Sequence, residues 1–301
     1  WGIIGAAEWV EENVNWLTGT AVSYLSIDVA VSGPRPNLGA SPELQTFATE
    51  TLKKVIHPNF GGFNISLYDA WHEATEGEIE VLGSGSDYTA FFHRGISSLD
   101  TGSGGGGNDP IWHYHSNYDT YHWMSTLGDP GFHVHVSQGQ YLALLAYHLS
   151  TDDIIPFDTQ NYAKELRAYY EDLVEYAEGQ DADLDLDELD EAIALFKKSA
   201  DEVKALENLA RERDDDVLKK VVNHKYRDFQ RGFISQGGLP NREFYKHVVN
   251  APGLDTGYAA VTFPGITEGV QYAKDGDFKV AQEWVKKTAR GIVVAANILK
   301  T

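Results

Sequence analysis

The second half of the chain, residues 158–301, carries apolar residues at helical spacing in four separate stretches. Within each stretch they recur three and four positions apart, so they fall on one face of an α-helix. A helix of this kind must bury its apolar face, and four of them predict an α-helical bundle domain over residues 158–301. The four stripes consist of Tyr162, Leu166, Tyr169, Tyr170, Leu173 and Tyr176; of Leu189, Ile193, Phe196, Ala200 and Val203; of Leu218, Val222, Phe229 and Phe233; and of Ala281, Trp284, Val285, Thr288, Ile292 and Leu299.

Residues 1–157 show a different pattern, in which helical stretches alternate with short apolar runs. Helices are predicted over residues 8–17 and 136–149, and strands over residues 21–30 and 95–99. Alternation of this kind is typical of an α/β sheet with helices on its faces, so the fold class is predicted as α/β.

Three shorter segments carry local signals. Ser41 followed by Pro42 predicts a helix start, with serine as N-cap and proline at the first helical position. The glycine-rich residues 102–107 are predicted to form a flexible loop or, less often, a close backbone approach to a ligand. The acidic residues 181–191 are predicted to be a solvated loop and first helical turn, because they lack the spaced ligands and glycine of a calcium loop.

The charge balance excludes one large class of partner. The chain has 45 Asp and Glu against 24 Lys and Arg, which gives a formal net charge of -21. Nucleic-acid binding needs a basic surface, so we expect no nucleic-acid partner. There is no cysteine, which excludes disulfides and thiolate metal sites.

The sequence leaves localisation open. The first residues lack a signal peptide, and the chain opens without methionine, which indicates a processed or truncated protein. The triplet Asn64-Ile65-Ser66 is a glycosylation sequon, compatible with a glycoprotein in the secretory route.

Two segments carry side chains that suit metal or acyl-transfer chemistry. Asp28 ends a predicted buried strand, where open α/β sheets bind ligands; it is either a metal ligand or catalytic group, or a loop cap. His115 lies in an aromatic segment in which Tyr114 offers a donor to an oxyanion; the alternative is a polar loop with packed rings. His133 and His135 are interpreted as surface or packing residues rather than ligands.

The turn at residues 83–87 offers backbone groups and serine hydroxyls to a peptide, or is an ordinary helix entry. No nucleophile elbow, Walker loop or dinucleotide fingerprint is present in the sequence.

Taken together and in order, these motifs resemble the family of glutamate carboxypeptidase II and transferrin receptor. The resemblance covers essentially the whole chain and implies the second half of a zinc-exopeptidase mixed-sheet sandwich domain, residues 1–157, followed by a helical dimerisation domain, residues 158–301. The motifs are Gly2-Ile3-Ile4-Gly5 with Glu8-Trp9, Tyr24-Leu25-Ser26-Ile27-Asp28, Leu82-Gly83-Ser84-Gly85-Ser86-Asp87-Tyr88, Tyr114-His115-Ser116-Asn117-Tyr118-Asp119-Thr120, Gly238-Leu239-Pro240-Asn241-Arg242-Glu243-Phe244-Tyr245-Lys246-His247 and Phe263-Pro264-Gly265-Ile266.

The resemblance implies a co-catalytic dizinc peptidase. Asp28 matches a carboxylate that holds one zinc ion, and His115 matches a histidine that holds the other. Tyr114 matches a tyrosine near the scissile carbonyl of the peptide. Carboxylate and imidazole ligands suit zinc, and two zinc ions can share a bridging hydroxide nucleophile.

Further positions follow from the same resemblance. Gly85 and Ser86 match the turn that lines the substrate cleft, and Tyr258 matches a residue of the loop that closes over the substrate's C-terminal side. Glu8 and Glu11 match carboxylates of a structural calcium site.

The resemblance also implies partners. It places the general-base glutamate and one ligand glutamate just upstream of Trp1, with a histidine ligand and the bridging aspartate further upstream. The chain is therefore expected to hydrolyse peptides only together with an N-terminal half, and to form a homodimer through the helical domain. Family members are commonly anchored in membranes and face a vacuolar or lysosomal lumen or the exterior, with the anchor upstream of this chain.

Substrate choice is expected to differ from a strict glutamate preference. The family's glutamate-reading lysine falls at Gly257, and its arginine patch falls on Leu38, Asp100 and Gly102. We therefore expect a broader aminopeptidase or carboxypeptidase. The alternatives are a non-catalytic receptor or sorting protein on the same fold, and a helical interaction module.

Overall fold

The computed structural model describes residues 2–58 and 65–301. Trp1 and Asn64 of the sequon lie outside these residues. In the first half the elements are α1 Ile4–Thr20, β1 Ser23–Ser26, β2 Arg35–Ala40, α2 Pro42–Leu52, β3 Ile56–His57, β4 Ile65–Ser66, α3 Leu67–Thr75, α4 Tyr88–Phe92, β5 Ser97–Gly104, α5 Tyr121–Trp123, a π-helical turn Met124–Gly128 and α6 His133–Thr151. In the second half they are α7 Thr159–Gly179, α8 Asp187–Glu212, α9 Asp216–Asp228, a 3₁₀ helix Phe229–Phe233, β6 Asn250–Pro252, β7 Ala260–Thr262, α10 Pro264–Gln271 and α11 Lys279–Leu299.

The main sheet of the first half is small and mixed. Its strand order is β1-β5-β2, with β1 parallel to β5 and β2 antiparallel to β5. Helices accompany it, so the prediction of an α/β chain is confirmed in this coarse form. The register places Asp100 of β5 beside Ser26, the last residue of β1.

The prediction of a loop over residues 102–107 is wrong for its first part, because Gly102 to Gly104 belong to β5 and pair with β2. Glycine occurs in this strand because the backbone is closely packed there, and not because the segment is flexible. A Cβ on Gly102 would lie 2.6 Å from the backbone oxygen of Val29. The glycines therefore let the chain after β1 approach the strand.

The predicted helix start at Ser41 and Pro42 is confirmed, since α2 begins at Pro42. The serine hydroxyl does not cap the helix, however. Its oxygen lies 2.9 Å from Oε1 of Glu43 and 3.1 Å from the backbone oxygen of Ser98, so its single proton is shared between the helix and the sheet.

The four predicted helical stripes correspond to α7, α8, α9 and α11. The third stripe crosses a change of helix type, because α9 ends at Asp228 and Phe229 begins the 3₁₀ helix. Tyr162, Phe196 and Phe233 are fully buried, and the rings of Tyr162 and Phe233 stack 5.0 Å apart. The acidic run ends in the first turn of α8, as predicted.

One apolar core cluster extends from Leu38 in β2 to Leu299 at the end of α11 and includes residues of both predicted domains. A buried polar chain crosses it. Gln230 donates from Nε2 to both carboxylate oxygens of Glu43, at 2.9 and 3.0 Å, and accepts at Oε1 from Nε2 of His247 at 3.0 Å. Nδ1 of His247 then accepts the backbone N–H groups of Val249 and Asn250.

A second buried imidazole, His93, accepts the backbone N–H groups of Lys246 and His247 at Nδ1. Burial lowers the pKa of His93 to about 3 and that of His247 well below its ordinary range. Both acceptor nitrogens must stay unprotonated to hold the backbone that leads into β6. The stability that these histidines contribute is therefore complete above the pKa of an unfolded histidine and is lost as the pH falls below it.

We expect His247→Gln to flatten the acid side of the stability profile. Loss of one buried, neutral histidine should reduce the fall in unfolding free energy between about pH 7 and about pH 5 by about 2 kcal/mol. Urea unfolding at the two pH values measures this. His224→Gln, at an exposed histidine of α9, is the matched control and should leave the fall unchanged. Equal profiles for wild type and His247→Gln would contradict the assignment.

Candidate functional site

The candidate site lies where β1 ends, beside the middle of β5 and a loop from the helical half. Asp28 lies in the turn two residues after β1 and is exposed. Among the described residues its carboxylate has no hydrogen-bond partner. Its negative charge acts on Asp100 and Tyr114, because it raises the pKa of both side chains. Asp28 is thus near enough to both groups for its charge to act on them.

Asp100 is a largely buried carboxylate in the central strand, β5, beside the end of β1. Burial raises its pKa to about 6, and the charges of Asp28 and Glu80 add to the rise, while a hydrogen bond from Ser26 opposes it. Its Oδ1 is buried and has no hydrogen-bond partner in the part of the chain that the structure describes. Asp100 thus adds a negative charge to the site at neutral pH.

A cavity of about 360 Å³ opens in front of Asp100. Its lining includes the acidic residues Glu78, Glu80 and Asp100 and the aromatic residues Tyr88 and Tyr258. Of the described residues that line it, none is Lys, Arg or His. The cavity therefore presents negative charge and aromatic surface.

The turn that carries Gly85 and Ser86 forms one side of the site. Ser86 is buried, and its hydroxyl lies 3.5 Å from that of Ser26. Gly85 has φ +119, and a Cβ there would lie 3.2 Å from the ring of Tyr258. A side chain at this position would be strained and would push against the tyrosine.

Tyr258 and Tyr114 meet across the site, although 144 positions separate them in the chain; their hydroxyl oxygens are 3.3 Å apart. The hydrogen bond with Tyr258, followed by desolvation and the charges of Tyr258 and Asp28, raises the pKa of Tyr114 to about 12. Tyr114 therefore keeps its proton at neutral pH and can donate it in a hydrogen bond. Tyr258 is 61% exposed, so it can still meet a ligand.

His115 follows Tyr114 directly, and the two rings stack 3.7 Å apart. The backbone of His115 is in the left-handed region, with φ 56, and its imidazole is exposed without a hydrogen-bond partner among the described residues. The structure thus brings Asp28, Gly85, Tyr114 and Tyr258 together, with His115 attached through its stacking on Tyr114.

Of the predicted site residues, Tyr258 belongs to the cavity lining, whereas the remaining predicted positions do not. Glu8 and Glu11 are three positions apart on α1, and Oε1 of Glu11 accepts from Nη2 of Arg94 at 2.9 Å. His135 places Nδ1 2.8 Å from Oδ2 of Asp129, which fits the interpretation of a packing residue. His133 is exposed at the first position of α6.

Sequence reasoning missed Glu78, Glu80 and Tyr88 as site residues. The backbone of Glu80 pairs with Gly39 of β2 in an isolated β-bridge, which brings Glu80 to the site. No local sequence pattern predicts this pairing. Tyr88 belongs to one of the motifs on which the resemblance rests, but the sequence predicts no role for its side chain.

Metal-ligating side chains are sparse in the described ranges. Within residues 2–58 and 65–301, no group of three or more His, Cys, Asp or Glu side chains is arranged to hold a metal ion. In the same ranges, no helix is both long and apolar enough to cross a membrane.

Comparison with known families identifies the second half of the chain. Residues 184–300 match the transferrin receptor-like dimerisation domain. This range begins just before α8 and ends with α11, so it covers three of the four predicted helical stripes.

Comparison with individual proteins extends the similarity to the whole chain. The chain is 54% identical over 304 residues to a probable glutamate carboxypeptidase of Arthroderma benhamiae, an alignment that covers 100% of the chain and 41% of that protein. It is 27% identical to an aminopeptidase of Mus musculus over 99% of the chain and 42% of that protein. It is also 27% identical to a protein of Schizosaccharomyces pombe named an inactive zinc metalloprotease, over 99% of the chain and 37% of that protein. The chain therefore spans less than half the length of each of these relatives.

Proposed function

We propose that this chain supplies part of the active site of a dizinc exopeptidase. The premise is that the chain corresponds to the C-terminal part of a protein of the glutamate carboxypeptidase and transferrin receptor-like group. The meeting of Tyr114 and Tyr258 beside Asp28 is the observation that carries the proposal. It joins a turn of the sheet domain, a histidine-bearing segment and a loop of the helical half at one place.

Asp28 and His115 would hold the zinc ions. The donor chemistry fits, since a carboxylate and an imidazole are common zinc ligands and both side chains are exposed without competing hydrogen bonds among the described residues. Bound zinc supplies a low-pKa water and polarises the scissile carbonyl. The remaining ligands and the general base would come from the N-terminal half, which is the first proposed partner.

Tyr114 would donate its hydroxyl proton in a hydrogen bond to the scissile carbonyl oxygen. Because its pKa is raised to about 12, the proton is present at neutral pH. Such a bond strengthens as negative charge develops on the oxygen, so it favours the transition state. Gly85 and Ser86 would line the cleft, and Tyr258 would close it.

The helical half would serve as a homodimerisation surface. The match of residues 184–300 to a dimerisation domain supports this, and Val280 and Val294 of α11 are exposed apolar side chains. Sedimentation of the purified protein gives its oligomeric state directly. Calcium at Glu8 and Glu11 and a luminal or extracellular location stay proposals from the resemblance, and glycosylation stays a proposal from the sequon.

The peptide substrate would not be strictly glutamyl. Glu78, Glu80 and Asp100 would repel an acidic side chain entering the cavity, because like charges at short range in a partly desolvated site repel by about 1 to 4 kcal/mol. A carboxypeptidase or aminopeptidase of broader preference follows from this charge pattern.

Matched peptides with glutamate or glutamine next to the scissile bond, on either side, test the proposal in the protein that includes the N-terminal half. We expect kcat/KM to favour glutamine in the wild type. Asp100→Asn should shift the ratio towards glutamate by about tenfold, because it removes one negative charge from the cavity.

Asp183→Asn is the control, since it makes the same change of net charge at an exposed aspartate outside this cavity. A wild type that prefers glutamate would contradict the proposed substrate class. A wild type that cleaves no peptide would contradict the peptidase.

The second candidate is a non-catalytic receptor or sorting protein on the same fold. The similarity of the chain to a protein named an inactive zinc metalloprotease supports this candidate. A protein that folds and dimerises but holds no zinc and cleaves no peptide would support it.

A further inference from the structure

Three side chains of the helical half form hydrogen bonds to the loop that carries Tyr258 and to its first flanking residue. This loop, residues 253–259, connects β6 to β7. At its base the backbone N–H of Gly253 donates to the oxygen of Ala259 at 2.9 Å, and that of Gly257 donates to the oxygen of Gly253 at 3.2 Å. These bonds close the loop on itself but do not fix its place relative to the site.

The outside contacts come from Arg242 and Glu268. Nη1 of Arg242 donates to the backbone oxygen of Pro252 at 2.6 Å, at the start of the loop. Its Nη2 donates to Oε2 of Glu268 at 2.5 Å, and Oε1 of Glu268 accepts the backbone N–H of Leu254 at 2.8 Å. One ion pair thus binds the backbone at two positions, Pro252 at the end of β6 and Leu254 in the loop.

The ion pair is buried, which makes its geometry strict. The side chains of Arg242 and Glu268 are 12% and 10% exposed. Charged groups at this depth must keep their partners, since the loss of one leaves the other charge uncompensated. Arg242 also lies over the ring of Tyr245, 5.7 Å from its centroid, which limits its movement.

The third contact is made by Tyr272, whose hydroxyl donates to Oδ2 of Asp255 at 2.6 Å, further along the loop. Apolar packing behind the loop is incomplete. A cavity of about 670 Å³ lies there, and its lining includes Leu254, Glu268 and Tyr272. On this side of the loop, polar contacts therefore supply what close packing does not.

We propose that Arg242, Glu268 and Tyr272, the loop anchor, are positioning residues that hold the loop so that Tyr258 lies against Gly85 and Tyr114. The proposal rests on the proposed function, because it assigns to these residues a part in binding peptide. The loop anchor touches no substrate. It acts through Tyr258, whose ring lies within packing distance of Gly85 and whose hydroxyl reaches Tyr114.

Glu268→Gln is the sharpest variant. The amide keeps the shape of the carboxylate but offers one oxygen in place of two, so it cannot accept from both Leu254 and Arg242. We expect the amide protons of residues 253–259 to exchange with solvent about tenfold faster, while α11 keeps its protection. Tyr272→Phe, near the surface, should give a smaller change in the same direction and tests the proposal if Glu268→Gln does not fold.

Kinetic measurements distinguish a role in positioning the loop from a general contribution to the stability of the fold. In the protein with its N-terminal half, Glu268→Gln should raise KM about tenfold and leave kcat within about twofold, because the loop spends less time closed on the peptide. A fold defect would instead lower the active fraction, and with it kcat, at unchanged KM. Arg242→Lys, which keeps the charge but reaches one acceptor at a time, should lie between wild type and Glu268→Gln.

Glu207→Gln is the matched control. Glu207 is a buried carboxylate, 6% exposed, that accepts from Arg211 and from the hydroxyl of Tyr226 and does not contact the loop. Unchanged exchange in residues 253–259 of both Glu268→Gln and Tyr272→Phe would overturn the loop anchor, as would a kcat loss at constant KM that equals the effect of Glu207→Gln. A wild type without peptidase activity would overturn the proposed function alone, and the exchange data would still decide on the anchor.

Discussion

Gly232→Ala should lower the free energy of unfolding by about 3 kcal/mol or more, the largest stability effect that we expect from a single methyl group. Gly232 lies in the 3₁₀ helix, and a Cβ there would be 2.2 Å from the backbone nitrogen and 2.4 Å from Cα of Ala295 in α11. Real Cβ atoms do not come this close to other atoms, so one of the two helices must move. Because the contact is with backbone, no rotamer change can relieve it. Urea unfolding of the purified chain measures the loss.

The matched control is the same substitution at Gly139. This glycine is exposed within α6, and a Cβ there would meet no atom within 4 Å. Gly139→Ala should therefore stabilise the chain by about 0.5 to 1 kcal/mol, since alanine loses less backbone entropy in a helix. Equal effects at the two positions would show that helix contact at Gly232 is not as close as described.

The contact at Gly232 also explains where helix prediction from sequence succeeds and where it stops. The third apolar stripe, which includes Phe229 and Phe233, predicts the buried face correctly because spacings of three and four suit both α and 3₁₀ helices. The stripe does not reveal the change of helix type at Phe229. That change accompanies the close approach to α11, which is a tertiary contact absent from local sequence.

Glycine is the residue whose role the sequence predicts least well here. Residues 102–107 read as a flexible loop from composition, yet Gly102 lies in β5 and its missing side chain admits the chain near Val29. Both a mobile loop and a tight backbone contact select glycine. Only the pairing with β2, more than sixty positions earlier, distinguishes them.

The candidate site, too, can be predicted from the sequence only in part. Asp28 can be predicted because a carboxylate at the end of an apolar strand is a local signal, and the resemblance singles out Tyr114 and Tyr258 separately. Their meeting is not predictable from either segment, because one belongs to the sheet half and the other to a loop of the helical half. The pairs that position this loop, such as Arg242 with Glu268, are likewise set by the packing of α10.

Asp28→Ala should abolish both zinc binding at its site and peptidase activity in the protein that includes the N-terminal half. Zinc contributes several kcal/mol to transition-state stabilisation, so we expect kcat/KM to fall by at least about a thousandfold. The fold should survive, because Asp28 is exposed and has no hydrogen-bond partner among the described residues. Metal content by mass spectrometry and peptide hydrolysis give the two readouts, and thermal unfolding of the metal-free proteins checks the fold.

Asp172→Ala is the control for Asp28→Ala, because it removes an exposed aspartate of α7 far along the chain from the site. It should keep both zinc and activity. His115→Ala should reproduce the loss at Asp28 through the second zinc ion, since the resemblance gives the two residues different ions to hold. The metal-free proteins should unfold within about 0.5 kcal/mol of one another, as exposed substitutions usually do. If Asp28→Ala keeps full zinc and full activity, Asp28 is a loop residue and holds no zinc ion.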